Sequence, residues 1–129
     1  MFLLDESGSI GSAHFDQLKK KLLSDLVGSL DINSGHTRVG LVSFSTSVRT
    51  AFDLSEYASV ASIQSAIRSL SYSAEGSTDS PAALAYVRTS MLTAASGARS
   101  TVPDVVVIFT DGQSTNQSAT KVCAMLMLS

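Results

Sequence analysis

The segment with the clearest chemical pattern is Asp5-Glu6-Ser7-Gly8-Ser9, which places one carboxylate and two hydroxyls at alternate positions. Alternate side chains of a nearly extended segment point to the same side, so the oxygens of Asp5, Ser7 and Ser9 are expected to face one point. Glu6 is then expected to point elsewhere. The spacing predicts a cluster of hard oxygen donors close to the amino terminus of the chain.

Two later segments carry the same kind of oxygen donors. Gly76-Ser77-Thr78-Asp79 supplies hydroxyls, and Thr110-Asp111-Gly112 supplies a second carboxylate. Hydroxyls and carboxylates favour Mg²⁺, Mn²⁺ or Ca²⁺ over softer ions. Mg²⁺ usually keeps water ligands, so such a site is expected to stay coordinatively open. An Asp or Glu of a partner molecule would fill the open position, so the ion is expected to act as a bridge to a partner.

Apolar runs and helical periodicities alternate along the first half of the chain. Residues 2–4 are apolar without alternation, which predicts a strand that is buried on both faces. Apolar residues at helical spacing over 15–30 predict an amphipathic helix of about four turns. A second strand is predicted over 39–44. The alternating run 48–52 then predicts a half-exposed antiparallel strand at the edge of the sheet.

The second half of the chain continues the alternation. A short helix is predicted over residues 60–70. A third helix is predicted to begin with Ser80 as its amino-terminal cap and Pro81 in the first helical position, and to end at Gly97. Residues 105–109 are β-branched and apolar on both parities, which predicts another buried strand.

These elements predict an α/β domain with a doubly wound, mostly parallel sheet, an antiparallel edge strand and helices on both faces. A last helix is predicted over residues 119–128. Ligands of such sheets gather beyond the carboxyl ends of the strands. Asp5 and Asp111 are both predicted to lie at that end, which makes it the expected position of the metal.

Length, charge and cysteine content exclude several kinds of protein and several kinds of partner. The chain has 129 residues, which predicts a single domain over 1–129. Nine Lys and Arg against eleven Asp and Glu give a net charge of −2 without a basic block, so nucleic acid is not an expected partner. Cys123 is the only cysteine, which excludes an internal disulfide and a zinc site built from cysteine pairs. No apolar run is long enough for membrane insertion, and no signal peptide is visible in this chain.

In combination, these segments resemble the von Willebrand factor type A domain and its metal-ion-dependent adhesion site. The resemblance rests on Asp5-x-Ser7-x-Ser9, on Thr78 after Gly76, and on Thr110-Asp111-Gly112. It extends to Arg38-Val39-Gly40-Leu41-Val42 and to Gly97-Ala98-Arg99, which look most like the matrilins and the collagen VI chains. It covers residues 2–122, nearly the whole chain.

The resemblance implies a Rossmann-like fold and a non-enzymatic role in cell adhesion or matrix assembly. The metal ligands it implies are Asp5, Ser7, Ser9, Thr78 and Asp111. It implies Mg²⁺, with Mn²⁺ or Ca²⁺ as alternatives, and a protein partner with an exposed Asp or Glu, such as collagen or another matrix protein. It also implies an extracellular location. Family domains continue into further strand and helix units, which this chain is expected to lack at its carboxyl end.

Two other functions stay open on the sequence. An Asp at the end of the first strand of an α/β sheet also heads the phosphotransferase site of haloacid-dehalogenase type. That chemistry expects a second carboxylate where this chain has Ser7, and a Lys that has no evident position. The chain could also be a scaffold fragment on which the site is present but unused.

Several of the residues named above also have plainer explanations. Ser7, Ser9 and Thr78 are of a type that caps helices, and Asp111-Gly112 is of a type that forms turns. The remaining expectations are structural: His14 and His36 at the surface or in caps, residues 19–21 on a solvated helix face, and Cys123 as a small buried side chain.

Overall fold

The computed structural model describes residues 1–110 of the chain. Strands and helices alternate in the predicted order: β1 (Phe2–Asp5), α1 (Ser12–Lys21), β2 (Leu41–Phe44), β3 (Val48–Phe52), α2 (Val60–Arg68), α3 (Ser80–Tyr86) and β4 (Val107–Phe109). Asp111, Cys123 and the helix predicted over 119–128 lie outside the described residues. Within 1–110, no helix has the length and apolar character needed to cross a membrane.

The described strands form one sheet in the order β3-β2-β1-β4. β1 pairs in parallel with both β2 and β4, whereas β3 pairs antiparallel with β2 and lies at the edge. This arrangement confirms the predicted mostly parallel sheet with an antiparallel edge strand. Asp5 is in register with Phe44, so β1 and β2 end at the same edge of the sheet.

Both faces of the sheet are covered by helices, as predicted for a doubly wound fold. Phe2 and Leu4 of β1 pack into a cluster with α1 and α2, while Leu3 packs on the opposite face with α3. Successive side chains of a strand point to opposite faces, so a strand that serves two cores must be apolar at every position. That requirement explains why residues 2–4 show no alternation.

The first predicted helix is interrupted rather than continuous. α1 ends at Lys21 and is followed by a π-helical turn, Leu22–Leu26, and a 3₁₀ turn, Val27–Ser29. The hydroxyl of Ser24 donates to the Lys20 carbonyl at 2.9 Å within this stretch. Such hydroxyl contacts compete with the regular backbone bonds of a helix, which gives a reason for the widened turn.

One lysine of the predicted solvated face is partly buried. Lys19 Nζ donates to the Leu70 carbonyl at 3.0 Å and pairs with Asp16 at 3.3 Å, and its side chain is only 18% exposed. The prediction of a fully solvated face over 19–21 is therefore wrong at Lys19. Its aliphatic stem is long enough to cover apolar surface while the ammonium reaches a carbonyl.

β4 is shorter and more exposed than predicted. It comprises Val107–Phe109 instead of 105–109, and Val105 is 65% exposed. Among the described strands β4 pairs only with β1, because it is the last in the sheet order. The apolar pattern of this segment identified a strand correctly, but it overstated the burial.

The amino-terminal cap of α3 is Asp79 and not Ser80. The Asp79 side chain accepts a hydrogen bond from the Ala82 amide at 3.1 Å. Pro81 lies in the first turn but in the second helical position, one residue later than predicted. Helical turns continue beyond α3 as Val87–Met91 and Ala94–Ser96 and end at Gly97, which has a φ of 92°. Ser80 and Asp79 are both capping residue types, so the sequence alone could place the cap only to within one residue.

The cap assignment predicts different effects for two adjacent substitutions. Asp79→Ala removes the acceptor for the Ala82 amide and should lower the free energy of unfolding by about 1 kcal/mol. Ser80→Ala should lower it by less than Asp79→Ala does, because the Ser80 hydroxyl is not the cap. Urea unfolding in EDTA measures both values, and a larger loss for Ser80→Ala would contradict the assignment.

Gly97 and Gly35 provide a matched pair for testing the end of the helical segment. Both have positive φ, 92° and 83°. A Cβ at Gly97 would lie 2.7 Å from the Ser55 nitrogen, whereas nothing lies within 4 Å at Gly35. Gly35→Ala should therefore cost about 1 kcal/mol, and Gly97→Ala at least about 2 kcal/mol because backbone must also move. Thermal unfolding compares the two variants, and equal losses would show that the close approach at Gly97 is unimportant.

Candidate metal centre

Asp5 is a fully buried carboxylate at the carboxyl end of β1. Its Oδ1 accepts a hydrogen bond from the Ser7 amide at 2.9 Å, and its Oδ2 accepts one from the Thr110 hydroxyl at 2.7 Å. The first contact comes from its own loop and the second from the residue after β4. Together they hold the carboxylate plane in one orientation between two neighbouring strands.

The two serine hydroxyls of the first loop lie side by side. Ser7 Oγ and Ser9 Oγ are 3.0 Å apart, as expected if alternate residues of this loop point to one side. Ser7 is buried and Ser9 is exposed. The sequence-predicted residues Asp5, Ser7 and Ser9 therefore form one group of oxygens at the edge of the sheet, with Ser9 at its open side.

Tyr72 supports the loop that carries Ser7 and Ser9, a role that no sequence pattern indicated. Its hydroxyl donates to the Ser7 carbonyl at 2.8 Å and accepts from the Gly11 amide at 3.0 Å. Its ring lies against Phe15 of α1, with 5.1 Å between the centroids. Tyr72 lies in a polar stretch without periodicity, so no local pattern indicated this contact.

The loop that carries Thr78 lies directly beside the first loop. The Gly8 amide donates to the Glu75 carbonyl at 2.7 Å, and Ser7 and Glu75 form an isolated parallel bridge. On the other side of Thr78, the Asp79 amide donates to the Ser45 carbonyl at 2.9 Å. Thr78 is only 6% exposed. The structure thus brings the Thr78 loop against the Ser7 loop and the end of β2.

Glu75 links this loop to the turn between β2 and β3. Its Oε2 accepts hydrogen bonds from the Ser45 hydroxyl at 2.7 Å and from the Ser47 amide and hydroxyl, both at 3.1 Å. These contacts, led by the Ser45 hydroxyl, lower the pKa of Glu75, and the nearby charge of Arg49 adds to the effect. Glu75 therefore stays ionised while it fastens the turn to the loop.

Glu6 points away from the hydroxyl pair, as predicted, but it is not directed to solvent. It is 1% exposed, and its Oε1 accepts from both Nε and Nη2 of Arg49 in β3, with the Nε contact at 3.0 Å. The hydrogen bond to Glu6 raises the pKa of Arg49. No local sequence pattern indicates this ion pair, because its members are 43 residues apart.

Asp111, the second predicted carboxylate, lies outside the described residues. Thr110, its immediate neighbour, is in contact with Asp5. Within residues 1–110, no group of three or more His, Cys, Asp or Glu side chains is placed to bind a metal. The donors that the described part of the chain brings together at this edge are mostly hydroxyls.

The histidines have structural positions, in agreement with the expectation of surface or capping roles. His14 Nδ1 lies 2.9 Å from the Ile10 carbonyl, and His36 Nδ1 lies 2.8 Å from both Ser34 Oγ and Asp31 Oδ2. Hydrogen bonds from Ser34 and His36 lower the pKa of Asp31. Both histidines are exposed.

An open pocket of about 370 Å³ lies next to the candidate site, on the side of α1. Thr110 and Ile10 border it toward the site, and it is lined further by His14, Gln17, Leu18 and Lys21. Its walls combine apolar side chains with the ammonium of Lys21. Its link to the candidate site is Thr110, which lines the pocket and donates to Asp5.

Comparison with known proteins agrees with this geometry. The family model of the von Willebrand factor type A domain matches residues 1–127. Matrilin-1 of Homo sapiens is 40% identical over 114 residues, which cover 88% of this chain and 23% of matrilin-1. The collagen alpha-4(VI) chain of Mus musculus is 38% identical over 119 residues, which cover 91% of this chain and 5% of the collagen. The chain therefore spans less than a quarter of either relative.

Solved structures show the same fold. Proximal thread matrix protein 1 from the mussel byssus superposes with a TM-score of 0.90 at 25% identity, over 98% of this chain and 33% of that protein. A further structure of the mussel protein, with a TM-score of 0.86, at 25% identity and over 98% of this chain and 34% of that one, has zinc in its metal-ion-dependent adhesion site. Because the family model spans almost the whole sequence, the chain belongs to the von Willebrand factor type A domain family.

Proposed function

We propose that this domain is a divalent-cation-dependent binding module of an extracellular-matrix or adhesion protein. The observation that carries the proposal is the arrangement at the end of β1, where a buried, oriented Asp5 lies beside the paired hydroxyls of Ser7 and Ser9. Thr78 and Asp111 are proposed to complete the ligand set from the two neighbouring loops. In this proposal Asp5 and Asp111 are the negatively charged ligands, and the three hydroxyls are the neutral ligands.

The donors fit a small, hard cation. Adjacent ligands of an octahedral ion at 2.0–2.1 Å are about 3 Å apart, and the Ser7 and Ser9 hydroxyl oxygens are separated by 3.0 Å. Ca²⁺ prefers longer distances and more ligands, so Mg²⁺ or Mn²⁺ suits this spacing better. The zinc in the mussel relative supports metal binding at the corresponding motif. We propose Mg²⁺ as the resident ion, with Mn²⁺ as its replacement in experiments.

The partner is proposed to be a matrix protein with an exposed Asp or Glu. When bound, an octahedral ion with five protein ligands keeps one open position, and an external carboxylate would complete its coordination. Lys21 lines the adjacent pocket, and its ammonium favours an anionic group. The relatives are matrilins and collagens, which supports an extracellular location and a collagen or another matrix protein as the partner.

No observation on the described residues favours the phosphotransferase alternative. The side chain two residues after Asp5 is a serine hydroxyl that contacts Ser9, where that chemistry needs an acid. We therefore propose a binding role and assign no catalytic residue.

Metal binding is tested with two aspartates in similar local turns. Asp53 Oδ1 accepts from the Ser55 amide at 2.8 Å, much as Asp5 Oδ1 accepts from Ser7, but Asp53 belongs to the loop after β3. We expect calorimetric titration with Mg²⁺ and with Mn²⁺ to show one site, to show no binding after Asp5→Asn, and to show unchanged affinity after Asp53→Asn. Asp5→Asn keeps the shape of the side chain and removes a charge that the ion requires.

Binding that survives Asp5→Asn would contradict the assignment of the site. A parallel titration with Zn²⁺ and Ca²⁺ ranks the ions. Tighter binding of Ca²⁺ than of Mg²⁺ would contradict the small-ion assignment.

Adhesion is tested on surfaces coated with collagen. We expect the 129-residue chain to be retained in Mg²⁺ and released by EDTA, because the ion is the proposed link to the partner's carboxylate. Collagen whose carboxyl groups have been converted to amides should not retain it in either condition. Equal retention in Mg²⁺ and EDTA, or on the amidated surface, would exclude the proposed mode for collagen.

A further inference from the structure

Arg49 is not among the proposed metal ligands, yet it contacts the loop that carries them. It lies in β3, the edge strand, and β2 separates it from β1 in the sheet. Its side chain reaches past the end of β2, where Nε and Nη2 both donate to Glu6 Oε1. Glu6 lies between the proposed ligands Asp5 and Ser7, so this contact acts directly on the ligand loop.

Because Glu6 is buried, its carboxylate needs the contact with Arg49. Glu6 is 1% exposed, and its other oxygen, Oε2, is buried without a hydrogen-bond partner in the described part of the chain. A carboxylate removed from water is costly unless an opposite charge compensates it. Arg49 is the cation that contacts Glu6, and its own side chain is 45% exposed. The ligand loop is thus anchored to β3 through a buried carboxylate.

A second carboxylate connects the same region to the Thr78 loop. Glu75 binds Ser45 and Ser47 in the turn that leads into β3, and the Arg49 charge acts on it as well. The Glu75 backbone carbonyl in turn accepts from the Gly8 amide, within the first ligand loop. The contacts therefore form a closed circuit from the Ser7 loop through Glu75, the β2–β3 turn and Arg49 back to Glu6.

We propose that Arg49 is a positioning residue of the metal centre, which fixes the loop of Ser7 and Ser9 relative to the loop of Thr78 through Glu6 and Glu75. The inference rests on the proposed function, because it assigns these hydroxyls to one ion. Arg49 acts through other residues and does not touch the ion. Its effect is on the spacing of the ligands and therefore on the affinity for the cation.

Replacing both members of the charge pair tests whether Arg49 positions the ligand loop. The same replacement controls for a change in local charge and for a loss of stability. The double variant Glu6→Met/Arg49→Met removes one negative and one positive charge, so the net charge near the site is unchanged. Replacing a buried ion pair with apolar side chains is often neutral or stabilising for the fold. A loss of metal affinity without a loss of stability is then the signature of positioning.

The experiment titrates Mn²⁺ into the full 129-residue chain and follows the electron paramagnetic resonance signal of the free ion. We expect the Kd of the double variant to rise about 10- to 100-fold, as for other groups that orient metal ligands. The urea midpoint in EDTA should stay the same or rise. Arg88→Met is the matched control, because Arg88 is exposed on the turn after α3, and its Kd should not change.

Arg49→Lys keeps the cation but loses the planar pair of donors that meets Glu6 Oε1. Its Kd should lie between that of the unchanged chain and that of the double variant. If the double variant does not fold, Arg49→Lys decides alone: weaker Mn²⁺ binding supports the role, and unchanged binding overturns it. Unchanged binding by a folded double variant overturns it as well.

Failure of this inference is distinguishable from failure of the proposed function. If the unchanged chain binds no Mn²⁺, or if Asp5→Asn binds it equally well, both are wrong. If the unchanged chain binds Mn²⁺ in an Asp5-dependent manner and the double variant matches it, only the role of Arg49 is wrong.

Discussion

Two consecutive carboxylates are buried at the end of β1. The surrounding loops are arranged so that each carboxylate meets hydrogen-bond donors or a positive charge. Asp5 and Glu6 are both almost without solvent exposure, and two negative charges at adjacent residues repel each other. The backbone directs them apart, so each meets a different set of donors. Asp5 meets neutral donors, an amide and a hydroxyl, and so stays available to a cation. Glu6 meets a guanidinium and is neutralised within the protein.

This division explains why hydroxyl groups dominate the edge of the sheet. A hydroxyl can donate to a carboxylate or present a lone pair to a cation, depending on how it rotates. Ser45, Ser47 and Thr110 donate to carboxylates, while Ser7 and Ser9 contact each other. The same residue type thus serves to fasten the loops together and to line the proposed site. That double use is consistent with a domain whose function is recognition through an ion.

Local patterns predicted the sheet and its helices because the relevant signals lie within a few residues. The unbroken apolar run of β1 correctly indicated that both faces of that strand are covered. The alternation predicted over 48–52 is not kept in β3. Thr50 is exposed, Val48 and Phe52 pack in clusters on opposite faces of the sheet, and the register with β2 is irregular. The hydroxyls of Ser7 and Ser9 do lie side by side, but not because the loop is extended: the chain turns at residues 8–10, where the Ile10 amide donates to the Ser7 carbonyl at 3.1 Å. The prediction was wrong where two neighbouring residues could do the same task, as with Asp79 and Ser80 at the start of α3.

The supporting residues that the sequence did not predict contact partners far away along the chain. Tyr72 contacts Ser7 over 65 positions, Arg49 contacts Glu6 over 43, and Glu75 contacts Ser45 over 30. No periodicity or motif links such positions, because their proximity is created by the folded sheet and not by the local chain. Only a three-dimensional arrangement shows that a polar loop and an edge strand support the first loop.

The position of β1 within the sheet has a consequence for biosynthesis. Of the described strands, β1 is translated first, yet it lies between β2 and β4 and pairs with Val107–Phe109, roughly a hundred residues later in the chain. Its apolar side chains must therefore wait for most of the domain to be translated before both of their neighbours exist. Parallel pairings at such separation form slowly and leave hydrophobic segments accessible in the meantime.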